Sequence, residues 1–184
     1  MSVRVETNGA DVRQLSARAT GVTTFVAAVL ALACLVRYDL SARGFVAAFV
    51  AVVLTFLAAI DIDRHLLPNR IVLPSAAIVL VAQVAFFPDR WLEWTLSALG
   101  AGLCFGILVL IYPVGLGMGD AKLAVLLGAA LGFDVITAAL LGLFAAALWG
   151  IVLLVRHGAS ARKRSIPLGP FLAFGAVLTL LAGS

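Results

Sequence analysis

Apolar residues in this chain come in long uninterrupted runs separated by short polar stretches: Thr20–Val36, Gly44–Ile60, Ile71–Phe87, Thr95–Tyr112, Ala121–Gly132, Val135–Val155 and Ile166–Ala182. A run of about 17 residues covers about 25 Å as a helix, close to the roughly 30 Å hydrocarbon core of a bilayer. The pattern predicts an all-α, polytopic membrane helix bundle of seven transmembrane helices. Residues 1–19 form a tail, and residues 20–184 form one transmembrane domain. The fifth run is the exception, since its 12 residues reach only about 18 Å. To close that gap the glycine-rich turn Gly115–Asp120 must dip below the membrane surface. Non-helical backbone survives there only inside protein or beside a water-filled cavity.

Composition sharpens this picture. The chain has 184 residues, 64% of them hydrophobic and 12% charged, with a mean hydropathy of +1.17. A soluble domain is roughly half apolar and about a quarter charged, and no polar stretch here is long enough to fold by itself. The net charge of +4 sits in short loops, as membrane topology requires, so no nucleic-acid partner is expected and the lipid bilayer is the surrounding medium. With the N-terminus cytoplasmic, ten basic residues fall inside: Arg4, Arg13, Arg18, Arg64, Arg70, Lys122, Arg156, Arg162, Lys163 and Arg164. Arg37, Arg43 and Arg90 fall outside. If the fifth run failed to cross, that bias would vanish, so seven spans fit the positive-inside rule better. The first run reads as a retained span, because a mixed-charge stretch precedes it. Trp91 and Trp94 suit an interfacial belt. Gly102 with Gly106, and Gly128 with Gly132, have the spacing that lets membrane helices approach closely.

Candidate chemistry rests on three acids. Glu6, Asp11, Asp39, Asp89, Glu93 and Asp134 fall in the tail or in outer loops and read as solvated. Asp61 directly follows an apolar run and is either an interfacial acid at a helix end or a working carboxylate. Asp63 lies two residues on, toward water and beside Arg64, so it faces away from Asp61 and reads as a solvated loop acid. Asp120 follows the glycine turn, where it suits a helix N-cap, a role compatible with facing a cavity. Gly115, Gly117 and Gly119 would allow positive φ and the close approach of a substrate strand. Lys122 either snorkels to the interface or holds the loop or a substrate carboxyl. If Asp61 and Asp120 meet, two charged carboxylates about 4 Å apart repel by about 4 kcal/mol at an effective dielectric near 20, so one keeps its proton at neutral pH. Such a pair activates a water without metal or cofactor, and none is expected. Cys34 and Cys104 lie in separate runs, and His65 and His157 have no ligand set around them. The serine, zinc and phosphate-cradling motifs are missing.

Two stretches in this order resemble a known family. Asp61 followed by Leu67-Pro68-Asn69 and Leu73-Pro74, then Gly117-Met118-Gly119-Asp120-Ala121-Lys122-Leu123, is similar to the paired signatures of type IV prepilin peptidases. Ile166-Pro167-Leu168-Gly169-Pro170-Phe171 resembles that family's last-helix segment. The resemblance implies an intramembrane aspartyl endopeptidase with Asp61 and Asp120 catalytic. Gly117, Gly119, Lys122, Pro68, Asn69 and the variable Asp63 would shape the loop or bind substrate. It further implies a multi-pass protein of the cytoplasmic membrane that removes a short basic leader from a prepilin or pseudopilin precursor at the cytoplasmic face. The chain lacks the cytoplasmic insert with paired C-x-x-C motifs seen in larger members, so it resembles the peptidase-only kind of Flp or Tad-type pili, without N-methylation. Presenilin-like proteases share Gly-x-Gly-Asp, but their partner motifs are not found here. Different classes also fit two membrane acids: a small cation or proton transporter, or a non-catalytic subunit of a secretion or pilus assembly.

Overall fold

The structure is a computed structural model, and it describes residues 9–64, 67–112, 117–157 and 167–183. Among them are seven α-helices: α1 (Gly9–Arg37), α2 (Ala42–Arg64), α3 (Asn69–Phe86), α4 (Trp91–Ile111), α5 (Met118–Leu131), α6 (Val135–His157) and α7 (Gly169–Ala182). Each apolar run of the sequence corresponds to one of them. Five stretches are long and apolar enough to cross a membrane, and one of these, Met118–Arg156, contains both α5 and α6. The helix α7 is shorter, at 14 residues.

The helices are arranged around α5. It packs most extensively on α4 and then on α3, while α2 and α7 lie together beside it and α6 packs on α7. Leu123, Leu126 and Leu127 of α5 are fully buried, as are Leu54 and Leu57 of α2, Val72 and Val79 of α3, and Leu172 of α7. A helix that is apolar all round belongs in a core, and α5 is buried along ten of its 14 positions. Its brevity suits that place: about 21 Å of helix is surrounded by protein from Asp120 onward, while Met118 at its start is exposed. By contrast, α1 and α6 expose Phe25, Leu32, Val36, Ile136, Leu140, Phe144 and Val155. Faces of that size and polarity are stable against acyl chains and not against water.

Glycine sets two of the helix contacts. A Cβ on Gly128 would lie 2.3 Å from the carbonyl oxygen of Ser97, and one on Gly175 would lie 2.2 Å from that of Ala138, so α5 on α4 and α7 on α6 pack backbone to backbone. The spacing expected from sequence is only half realised. Gly102 faces Val125 of α5, but Gly106 faces open space, and Gly132 is a turn glycine at φ +61.

Three local expectations are corrected. The helix α2 does not stop at Ile60 but continues to Arg64, so Asp61 and Asp63 are helical rather than in a loop. The stretch expected as a loop around Trp91 is the first turn of α4, after a 3-10 turn at Pro88–Arg90. Trp94 is only 6% exposed, so it is a core residue rather than part of an interfacial belt.

At the end of the bundle where α2 starts, Tyr38 Oη–H donates to the carbonyl of Leu180 (2.9 Å). Arg37 donates to those of Leu181 (3.3 Å) and Ala182 (3.4 Å), satisfying the last turn of α7. Gln83 Nε2 donates to the Ala130 carbonyl at the end of α5 (3.0 Å). A cavity of about 70 Å³ here is lined by Tyr38, Arg43, Gln83, Arg90 and Asp134 among others. Since Arg43 opens α2 and Asp61 lies in its last turn, the cavity is about 27 Å from Asp61 along the helix axis.

Candidate functional site

At the opposite end, the last turn of α2 and the first turns of α3, α5 and α7 come together. Asp61 is 6% exposed and Asp120 is 9% exposed, which makes them buried acids in an apolar bundle. A buried carboxyl needs hydrogen-bond partners, and each has a backbone amide. Gly117 N–H donates to Asp120 Oδ2 at 3.0 Å, and Gly169 N–H donates to Asp61 Oδ2 at 3.1 Å. The two carboxyls are close enough to interact electrostatically.

The local reason for the Asp120 geometry differs from the sequence expectation. Asp120 is not the N-cap of α5; Gly117 is, and Asp120 is the third helical residue. Its N–H donates to the Gly117 carbonyl (3.0 Å) while its carboxyl accepts the Gly117 N–H, a reciprocal closure of the first turn. Positive φ is not what Gly117 contributes, since it sits at φ −94 and ψ 154. Nor is it the contribution of Gly119, which lies inside α5. A Cβ on Gly119 would stand 3.0 Å from Leu67 Cβ, so its value is close approach to the Leu67-Pro68-Asn69 segment. Gly115 lies outside the described residues.

That segment reaches α5 a second time. Lys122 Nζ donates to Asn69 Oδ1 at 2.7 Å, tying the first turn of α5 to the first turn of α3. Pro68 is the N-cap of α3 at φ −71 and ψ 119, and its carbonyl accepts from the N–H groups of Ile71 and Val72. The two sequence signatures are thus one physical clamp, with Leu67 on Gly119 and Asn69 on Lys122. Asp63 stands apart: it is exposed, and two helical positions from Asp61 it points to a different face. His65 lies outside the described residues. Among those described, no three His, Cys, Asp or Glu side chains come together as a metal site.

Gly169 is the site residue that sequence reasoning missed. Its segment was recognised, but nothing local marks one glycine in it as the hydrogen-bond partner of an acid 108 positions earlier. The only available signal was the Gly-Pro pair opening an apolar run, which marks a helix start and not what the start faces.

A paired-acid site on membrane helix ends can be set beside known proteins. A family model described as the type IV leader peptidase family matches residues 48–155. The chain is 30% identical over 165 residues to a prepilin leader peptidase/N-methyltransferase of Bacillus subtilis, covering 86% of this chain and 66% of that protein. It is 32% identical over 166 residues to a protein of the same name in Pseudomonas putida, covering 85% of this chain and 56% of that one. With the one in Pseudomonas aeruginosa it is 33% identical over 134 residues, 69% of this chain and 46% of the other. It therefore spans from about half to about two thirds of these curated relatives. No solved structure matches it. A match over more than half the chain, joined to two buried aspartates held at one end of an apolar bundle, places it: the protein is a multi-pass membrane protein of the type IV leader peptidase family.

Proposed function

We propose that the chain is an aspartic-type endopeptidase that removes the short basic leader from prepilin-like precursors, with Asp61 and Asp120 as its catalytic pair. The observation that carries this reading is the burial of both carboxyls at the same end of the bundle, each fixed by a backbone N–H. In both contacts the donor is an uncharged backbone N–H, which orients a carboxyl in either protonation state. In the reaction, the ionised carboxyl takes a proton from water as the water oxygen bonds to the scissile carbonyl carbon. The protonated carboxyl donates to the carbonyl oxygen. Collapse breaks the C–N bond, and the amine leaves with a proton from the pair.

The remaining residues take supporting roles. Leu67 against Gly119 and Asn69 against Lys122 hold the starts of α3 and α5 together, which keeps Asp120 at a fixed depth. Asp63, exposed and off the shared face, modulates at most. The topology that puts most basic residues inside orients this end to the cytoplasm of the cytoplasmic membrane, where the basic leader of a precursor lies. The relatives' names pair peptidase with methyltransferase, and we assign the peptidase part to this chain. A transporter or structural subunit does not need two acids held in register by separate amides.

Co-expression with a pilin-like precursor tests the proposal. The intact chain yields a shortened product, and Asp61→Asn or Asp120→Asn yields none while still inserting into the membrane. Full processing by both variants would end the assignment.

A further inference from the structure

The first turn of α7 has an unusual donor inventory. Gly169 is its first residue, where a backbone N–H has no acceptor within the helix. Pro170 follows and has no N–H at all. The N–H groups of Phe171 and Leu172 both turn back to the Leu168 carbonyl at 3.1 Å. The start of this helix therefore presents one uncommitted amide, and that amide is directed at Asp61 Oδ2. Lack of a side chain matters equally. A Cβ at position 169 would lie 2.6 Å from that oxygen and 3.1 Å from Asp61 Cγ, inside contact distance.

The arrangement at Asp120 is a second copy of the same device. There the amide of Gly117 opens α5, a helix of 14 residues like α7, and holds Oδ2 at 3.0 Å. Both acids thus accept from a glycine at the start of a short helix, the N-cap of α5 and the first residue of α7, and in each case the positive end of the helix lies beside the carboxyl.

We propose that Gly169 is a positioning residue for Asp61: its N–H fixes the orientation of the Asp61 carboxyl relative to Asp120, and its bare Cα makes room for it. The inference rests on the peptidase reading above. The start of α7 then belongs to the catalytic apparatus through Asp61.

The test separates the hydrogen bond from the packing. Replacing the Gly169 amide by an ester in the full chain removes the N–H and adds no Cβ. Because it also weakens the Leu168 carbonyl that accepts from Phe171 and Leu172, an ester at Phe171, which disturbs the same turn but keeps the Gly169 N–H, serves as the control. With the protein in phospholipid nanodiscs and a purified prepilin precursor as substrate, the kcat of the Gly169 ester is expected to fall by roughly ten- to a hundredfold, the size of one lost hydrogen bond to a charged group. KM stays at its starting value, and the thermal unfolding midpoint falls no further than in the Phe171 ester, which keeps its kcat. Gly169→Ala is expected to lose at least as much kcat and to unfold at lower temperature. A Gly169 ester with undiminished kcat, beside an inactive Asp61→Asn, overturns the positioning role and leaves the peptidase reading standing. A Phe171 ester that loses as much kcat as the Gly169 ester shows that the turn acts structurally, and overturns it too. Failure of the unmodified protein to cut the precursor removes both.

Discussion

Where α1 gives way to α2, charged side chains answer one another or a helix end: Arg90 forms two hydrogen bonds of 2.7 Å to Glu93, and Arg37 donates to the last carbonyls of α7. Arg43 lies over the Phe87 ring and Arg90 over that of Trp94. At the far end, each of the two buried acids accepts from a backbone amide of glycine. The difference separates two uses of charge in one bundle. Matched charges and capped carbonyls secure helix ends without any chemistry to perform. An uncharged backbone amide can orient an acid in either protonation state.

That contrast breaks most sharply at the acids. Asp120→Asn keeps the size of the side chain and an acceptor for the Gly117 amide, yet should lower precursor cleavage by a factor on the order of 10³ or more, measured by product formation at matched protein levels. Next come the backbone contacts that hold both ends in register. Gly128→Ala forces α5 away from the Ser97 carbonyl and should cost about 1–3 kcal/mol, read by denaturation in detergent micelles. Gly106→Ala, facing open space, should be neutral or stabilising by a few tenths of a kcal/mol. The clamp between α3 and α5 is smaller still in stability. Lys122→Met and Asn69→Ala should each lose about 0.5–1.5 kcal/mol, with the double variant losing little more than either. Cleavage kinetics of the same three proteins should show a fewfold slowing. Smallest in its effect on cleavage is Arg90→Gln at the other end. Its exposed pair with Glu93 is worth at most about 1 kcal/mol, and cleavage should proceed at the unaltered rate. A large loss of activity there would erase the distinction between the ends.

Much of this was legible in the chain itself, and what was not has a physical cause. Runs of apolar residues located all seven helices, because in a membrane the backbone has few alternatives. The short run before Gly132 pointed to a recessed glycine turn, but not to the burial of α5 among its neighbours, which no local pattern records. Local pattern failed where polarity and structure part company. Asp61 and Asp63 are polar yet helical, because α2 continues past the apolar stretch. Trp94 is aromatic and near an interface by sequence, yet it packs inward against the turn at Gly132. Asp120 has the composition of an N-cap, but Gly117 supplies that backbone geometry and Asp120 closes the turn from the third position. The bond from Gly169 to Asp61 was invisible, because a helix start carries no record of which distant acid it meets.

The brevity of α5 has a consequence for the lipid itself. Because this helix is sheathed by its neighbours, its length need not match the acyl chains; α6, with 23 residues and an exposed flank, does meet them. Thickening or thinning the membrane strains the outer helices, by fractions of a kcal/mol per ångström of mismatch. The altitude of Asp120 is instead dictated by protein packing. The geometry proposed for catalysis should therefore persist in membranes of unequal thickness.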